Sequence, residues 1–141
     1  MNLEQTSKLI KGCAEQMNAR YNGIVFDEWA LVSVAHKRSR ILNYIGPRND
    51  DFLKNFASDL GTLRTQLLNP NHAAGDFEFA RYGVGTMHEA FMVVAEGVYL
   101  ICNNTQNSME GITKNTRWIE AQVPFVELSD KFRANPLVCS W

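Results

Sequence analysis

The 141-residue chain lacks an excess of charge of either sign: 14 lysines and arginines face 15 aspartates and glutamates, for a net charge of -1. A field that small does not draw a protein onto nucleic acid or an anionic membrane surface. Long hydrophobic runs are missing too. A membrane-spanning helix needs ~18 or more uncharged apolar residues, and the nearest approach, residues 88–105, is interrupted by Glu89 and Glu96. The opening MNLEQTSKLIKGCAEQM has no basic segment leading into an apolar one, so no secretory signal is expected. Cysteine is scarce and odd in number. Cys13, Cys102 and Cys139 cannot all pair within one chain, which favours free thiols and a reducing, cytoplasmic location.

Catalytic and metal-binding patterns are equally thin. His36, His72 and His88 are scattered, with no histidine or cysteine three or four residues away, so the spacing of a zinc site is absent. Gly83 and Gly85 are not followed by the lysine and helix of a phosphate loop. Cys102 ends an apolar segment and acts as a nucleophile only beside a base or a positive charge; as a small apolar residue it reads better as core, and Cys13 reads the same way. No catalytic, cofactor-binding or metal-binding residue is therefore assigned. Lys37, Arg38 and Arg40 suit a solvated hairpin tip. Arg48, after Gly46-Pro47 and before a helix start, is a candidate anion contact. Trp29, Trp118 and Trp141 read as core or interface residues.

What is present is a packed domain: 45% of residues are hydrophobic and 21% charged, in a length that suits one unit. Leu9, Ile10, Cys13, Ala14 and Met17 recur at helical spacing. Asn2 and Gln5 stand where a reciprocal cap places them, and Asn22-Gly23 ends that helix. Strands are expected at Trp29–Ala35 and Arg40–Ile45, with a turn near Lys37–Ser39. Phe52, Phe56, Leu60, Leu63 and Leu67 form one stripe of a second helix. The segment DFEFARYGVG alternates, with Phe77, Phe79 and Arg81 on one side and Glu78, Ala80 and Tyr82 on the other, as a strand at a sheet edge does. Ser108 caps a helix with Met109, Ile112, Thr116, Ile119 and Val123 on one face. Pro124 forces a kink or a fresh start, after which Phe125, Leu128 and Phe132 repeat.

The stretch HEAFMVVAEGVYLICNNT decides the architecture. A single helix would bury Glu96-Gly97 at its centre, unfavourable in both propensity and desolvation. Two strands, 89–95 and 98–102, put that pair in a tight turn. Both strands are apolar on both faces, so the sheet needs cover above and below. The expected fold is α+β: a central antiparallel five-stranded sheet with helices on both faces. Its order is helix, two strands, helix, three strands, helix. One domain spans 1–141, with an extra C-terminal segment 124–141.

That order, together with GDFEFARYGVGTMHEAFMVVAEGVYLICNNTQNSMEGITKNTRWIEAQ, resembles the roadblock (dynein light chain) family of profilin-like domains. The likeness covers residues 3 to 122. Ser108-Met109-Glu110-Gly111 stands where that family carries an asparagine, an apolar residue and glycine, and no glycine follows Asp27 in the first hairpin. The resemblance implies a non-enzymatic homodimer, formed by the edge strand and the middle helix, that regulates small GTPases or motor complexes. It would place Phe77, Phe79, Arg81 and Tyr82 on the pairing strand and Phe56, Leu60, Gly61 and Leu63 on the middle helix. The alternatives are a sensor-type domain that binds a small ligand and, third, a small enzyme that uses Cys102, or a histidine with Glu89.

Overall fold

A computed structural model describes residues 1–21, 25–34, 40–47, 72–82, 87–104 and 116–138, with backbone alone at 80–82, 87, 88 and 116–118. Helix α1 (Leu3–Tyr21) opens the chain. Its cap is the expected reciprocal pair: the Asn2 N–H donates to Gln5 Oε1 at 3.0 Å and the Gln5 N–H donates to Asn2 Oδ1 at 2.8 Å. Thr6, Ile10, Cys13 and Met17 form its buried face.

The strands are β1 (Glu28–Ser33), β2 (Arg40–Ile45), β3 (Phe77–Tyr82), β4 (Met87–Ala95) and β5 (Val98–Asn103). They form one antiparallel sheet in the order β2-β1-β5-β4-β3. Helices α2 (Thr116–Ala121) and α3 (Val123–Ala134) follow. The α+β class and the succession of these strands along the chain are those expected from the sequence, and their order across the sheet is a finding of the structure. The helix expected through Phe56, Leu60, Gly61 and Leu63, the turn at Lys37–Ser39 and Arg48 lie outside the described residues.

The chain reverses at Glu96-Gly97, where Gly97 takes a φ of +71° that other residues disfavour. Every described side chain from Ala90 to Ala95 and from Val98 to Asn104 is buried. On the first face, Ala90, Met92, Val94, Leu100 and Cys102 meet Ile10, Cys13 and Met17 of α1 and Phe125, Leu128 and Phe132 of α3. Phe125 is the hub of this layer, fully buried with its ring centroid 5.3 Å from Phe77, 5.2 Å from Phe79 and 6.3 Å from Trp29. Trp29 is core, as its surroundings in the sequence suggest. On the second face, Ala30, Val32, Val34, Phe91, Val93, Tyr99 and Ile101 form a separate apolar cluster flanked by Ile41 and Tyr44.

The last helices depart from expectation in one respect. Ile119 and Val123 share a face, but it is the outer one: they are 70% and 39% exposed. The face turned to the core carries Ala121, Phe125, Leu128 and Phe132 instead. The helix restarts at Val123 with Pro124 in its first turn, where a missing N–H costs nothing. Beyond it, Leu137 packs into the core and the Val138 N–H donates to the Met1 C=O at 2.8 Å, so residues 135–138 lie against the fold. No helix among the described residues is long and apolar enough to cross a membrane.

The entry to β3 is a bulge. Gly75 and Asp76 together face Val93: the Gly75 N–H donates to the Val93 C=O at 2.7 Å, and the Val93 N–H donates to the Asp76 C=O at 2.8 Å. Gly75 has a φ of +95°, and a Cβ there would come within 2.8 Å of the Ser129 carbonyl and 2.9 Å of Arg133 Cβ. Ser129, itself buried, donates its hydroxyl to the Gly75 C=O. Glycine thus lets α3 close directly onto the strand. We expect Gly75→Ala to cost roughly 1–3 kcal/mol in urea denaturation, from backbone strain and the close contact combined.

Candidate functional site

Three features offer chemistry or recognition. The first is the β3 border. The Val93-to-Asp76 bond and the register Glu78↔Phe91 and Ala80↔Glu89 set the ladder's alternation. In an antiparallel pair, alternate residues bond across the ladder. Asp76, Glu78 and Ala80 therefore direct their backbone groups at β4, and Phe77, Phe79 and Arg81 turn theirs toward the border of the sheet. The side chains of Phe77 and Phe79 do not reach outward with them. They fold under onto Phe125, with their own rings 5.6 Å apart in a T-shaped contact. The strand is held flat against the core while its backbone edge faces away from the sheet. For Arg81 and Tyr82 the described feature is the backbone of this strand.

The second feature is a polar row on the second face. Glu28 and Glu89 both pair in register with Asn103, so a carboxyl stands on each side of one amide. Glu28 is fully buried. Its Oε2 accepts from the Tyr44 hydroxyl at 2.7 Å and its Oε1 accepts from Asn103 Nδ2 at 2.9 Å. A buried carboxyl is tolerable only when both oxygens are engaged in this way. Gly46 leaves room for the arrangement, since a Cβ there would lie 2.5 Å from the Tyr44 hydroxyl. Among the described residues, Asn103 Oδ1 is the buried side-chain oxygen left without a donor. Chemically the row is rich in acceptors, and it ties the outermost strand β2 to the centre of the sheet.

The third feature is a pocket of about 360 Å³ where β3, β4 and β5 meet. Phe91, Val93 and Tyr99 line it from the second face, and His72, Asp76, Glu78 and Arg133 add polar groups. Arg133 is anchored by Asp76 and Asp130, each at 3.6 Å, and Asp76 Oδ2 accepts from the Ala73 N–H at 2.8 Å. The volume lies within the ordinary range for small-ligand sites.

The thiols are placed for packing. Cys102 is fully buried, and burial first, then Cys13 and Glu89, push its pKa well above the usual thiol value. Burial likewise pushes Cys13 up to about 12. Neither forms the thiolate that nucleophilic chemistry requires near neutral pH. Among the described residues no group of three or more His, Cys, Asp or Glu is placed to hold a metal ion.

Glu28 and Asn103 are the residues that pattern reading passed over. The signal was present: Glu28 alternates with Ala30 and Val32, and Asn103 with Ile101 and Tyr99, so each continues an apolar face as a polar residue. No protein-family model matches this sequence, and no curated protein matches it.

Two outcomes test these placements. Glu28→Ala removes the acceptor shared by the half-buried Tyr44 hydroxyl and the buried Asn103 amide, at roughly 1–3 kcal/mol for the buried amide that loses it. In chemical denaturation it should therefore destabilise more than Tyr44→Phe. The thiols set an alkaline limit. A folded pKa raised from 9.0 to about 12 keeps Cys13 protonated in the native state after the unfolded chain has lost that proton. Its stabilising contribution is full below pH 9 and falls as pH rises toward 12, by about 1.4 kcal/mol per pH unit for each thiol. Cys13→Ala should flatten the pH dependence of unfolding free energy in that window by one thiol's share.

Proposed function

We propose that the chain is a non-enzymatic interaction module of roadblock-like plan, cytoplasmic, that works as a homodimer joined along β3. The observation that carries this reading is the position and bracing of β3. It is a six-residue border strand of the sheet, held in line by Phe125 through Phe77 and Phe79. An extended backbone edge pairs with another strand by main-chain hydrogen bonds, and proteins that do not use such an edge commonly protect it. A second copy of the same strand, related by a two-fold axis, satisfies both borders at once. Such a dimer would present a continuous two-subunit sheet to a partner protein, for which the family resemblance suggests a small GTPase.

The test is sedimentation equilibrium across a concentration series. A dimer is expected at micromolar concentrations. In Arg81→Pro, the lost N–H belongs to the border side of β3, so the ladder to β4 keeps its bonds while pairing across the border is blocked. That variant should remain folded by circular dichroism and sediment as a monomer. A wild-type chain that is strictly monomeric, or an Arg81→Pro dimer of unchanged affinity, contradicts the reading.

The pocket beneath Phe91, Val93 and Tyr99 favours a second reading, a sensor that binds a small ligand. A ligand at 100 times its Kd stabilises the native state by about 2.7 kcal/mol. A thermal-shift panel of small metabolites would reveal it, with the shift abolished in Val93→Phe, which fills the space.

A further inference from the structure

The pocket beside β3 is polarised, apolar within and acidic toward the border of the sheet. Register sets two rows across its floor. In one, Asp76 faces Val93 and Val93 pairs with Tyr99; in the next, Glu78 pairs with Phe91. All five residues line the cavity of about 360 Å³. The two carboxyl-bearing residues stand at the β3 side, two positions apart in the chain, and the apolar wall runs inward over β4 and β5. Phe91, Val93 and Tyr99 are buried, whereas Glu78 is exposed. The bulge at Gly75-Asp76 lies where the acidic and apolar parts meet, and bulges commonly re-aim side chains next to a site.

The charges around the cavity leave one group unused. Asp76 is occupied: its Oδ2 accepts from the Ala73 N–H at 2.8 Å and its Oδ1 meets Arg133 at 3.6 Å. Arg133 is shared with Asp130, also at 3.6 Å, so two carboxylates already offset its charge. Among the described residues no cation pairs with Glu78. Three carboxylates, of Asp76, Glu78 and Asp130, thus stand in or beside the lining against one guanidinium, and they outnumber the described cations even when His72 is protonated. An anionic ligand meets repulsion here, and a neutral one leaves Glu78 idle. We infer that the pocket takes a small organic amine, with its ammonium head at Glu78 and an apolar body against Phe91, Val93 and Tyr99. Burial of the body supplies affinity, and the ammonium sets orientation and selectivity. This assignment rests on the small-ligand reading of the pocket and adds the charge and shape of the ligand to it.

Three probes of similar size separate charge from shape: 2-phenylethylamine, 2-phenylethanol and 3-phenylpropanoate. Each is titrated into the full chain and followed by NMR at the signals of Phe91, Val93 and Tyr99. The amine should shift these signals and bind about tenfold tighter than the carboxylate, a difference of ~1.4 kcal/mol, with the alcohol between them. Glu78→Gln, at an exposed position, should weaken the amine by about two- to fivefold, the worth of one solvent-facing ion pair, and leave the alcohol unchanged. That comparison does not depend on any change to the core. If the alcohol or the carboxylate binds as tightly as the amine, or if Glu78→Gln leaves the amine unaffected, the amine assignment is wrong while the small-ligand reading stands. If no probe shifts these signals, the amine assignment is wrong as well, and the metabolite panel decides the broader reading.

Discussion

Everything in this molecule is arranged around a hairpin that is apolar on both sides. β4 and β5 occupy the middle of the sheet, and their described side chains near the turn at Glu96-Gly97 are withdrawn from water on both faces. Each fully buried large side chain contributes about 1.5–3 kcal/mol relative to exposure. A strand pair of this composition cannot sit at a surface. It requires neighbours on either side in the plane of the sheet and cover above and below. β1 and β3 provide the first, and α1 with α3 covers one face.

The two borders of the sheet are handled differently. β2 is anchored by polarity: Tyr44 reaches the buried Glu28, which is held in turn by Asn103 at the centre. β3 is anchored by aromatic packing, since Phe77 and Phe79 lie against Phe125 while Gly75 lets α3 approach the strand's entry. Polar anchoring sets register, because a one-residue slip would bury Glu28 without its partners. Aromatic anchoring sets shape and leaves the backbone of β3 directed outward. Both borders turn alternate backbone groups outward, and it is the family resemblance that makes β3 rather than β2 the strand proposed to pair.

Much of the scaffold was legible in the sequence because it rests on local rules. The Asn2–Gln5 cap, the reversal at Glu96-Gly97, the alternation of Phe77, Glu78 and Phe79 and the restart at Pro124 follow from chemistry within a few residues, and each stands in the structure. What escaped depends on long-range placement. Periodicity groups Ile119 with Val123 but does not say which of two apolar faces meets the sheet; Phe125, Leu128 and Phe132 offer the larger one, and the core takes it. Glu28 stands just before the strand expected at Trp29–Ala35, and its role shows only when Asn103, 75 positions away, is seen beside it. The pocket is a property of three strands together and has no signature in any one of them.

The most direct test of the account is amide hydrogen exchange of β3 at several protein concentrations. If β3 joins two copies, the N–H groups of Phe77 and Arg81, which turn toward the border, gain protection as concentration rises. Those of Glu78 and Ala80, bonded within the sheet to β4, stay protected throughout. Exchange at Phe77 and Arg81 that remains fast and independent of concentration would contradict it.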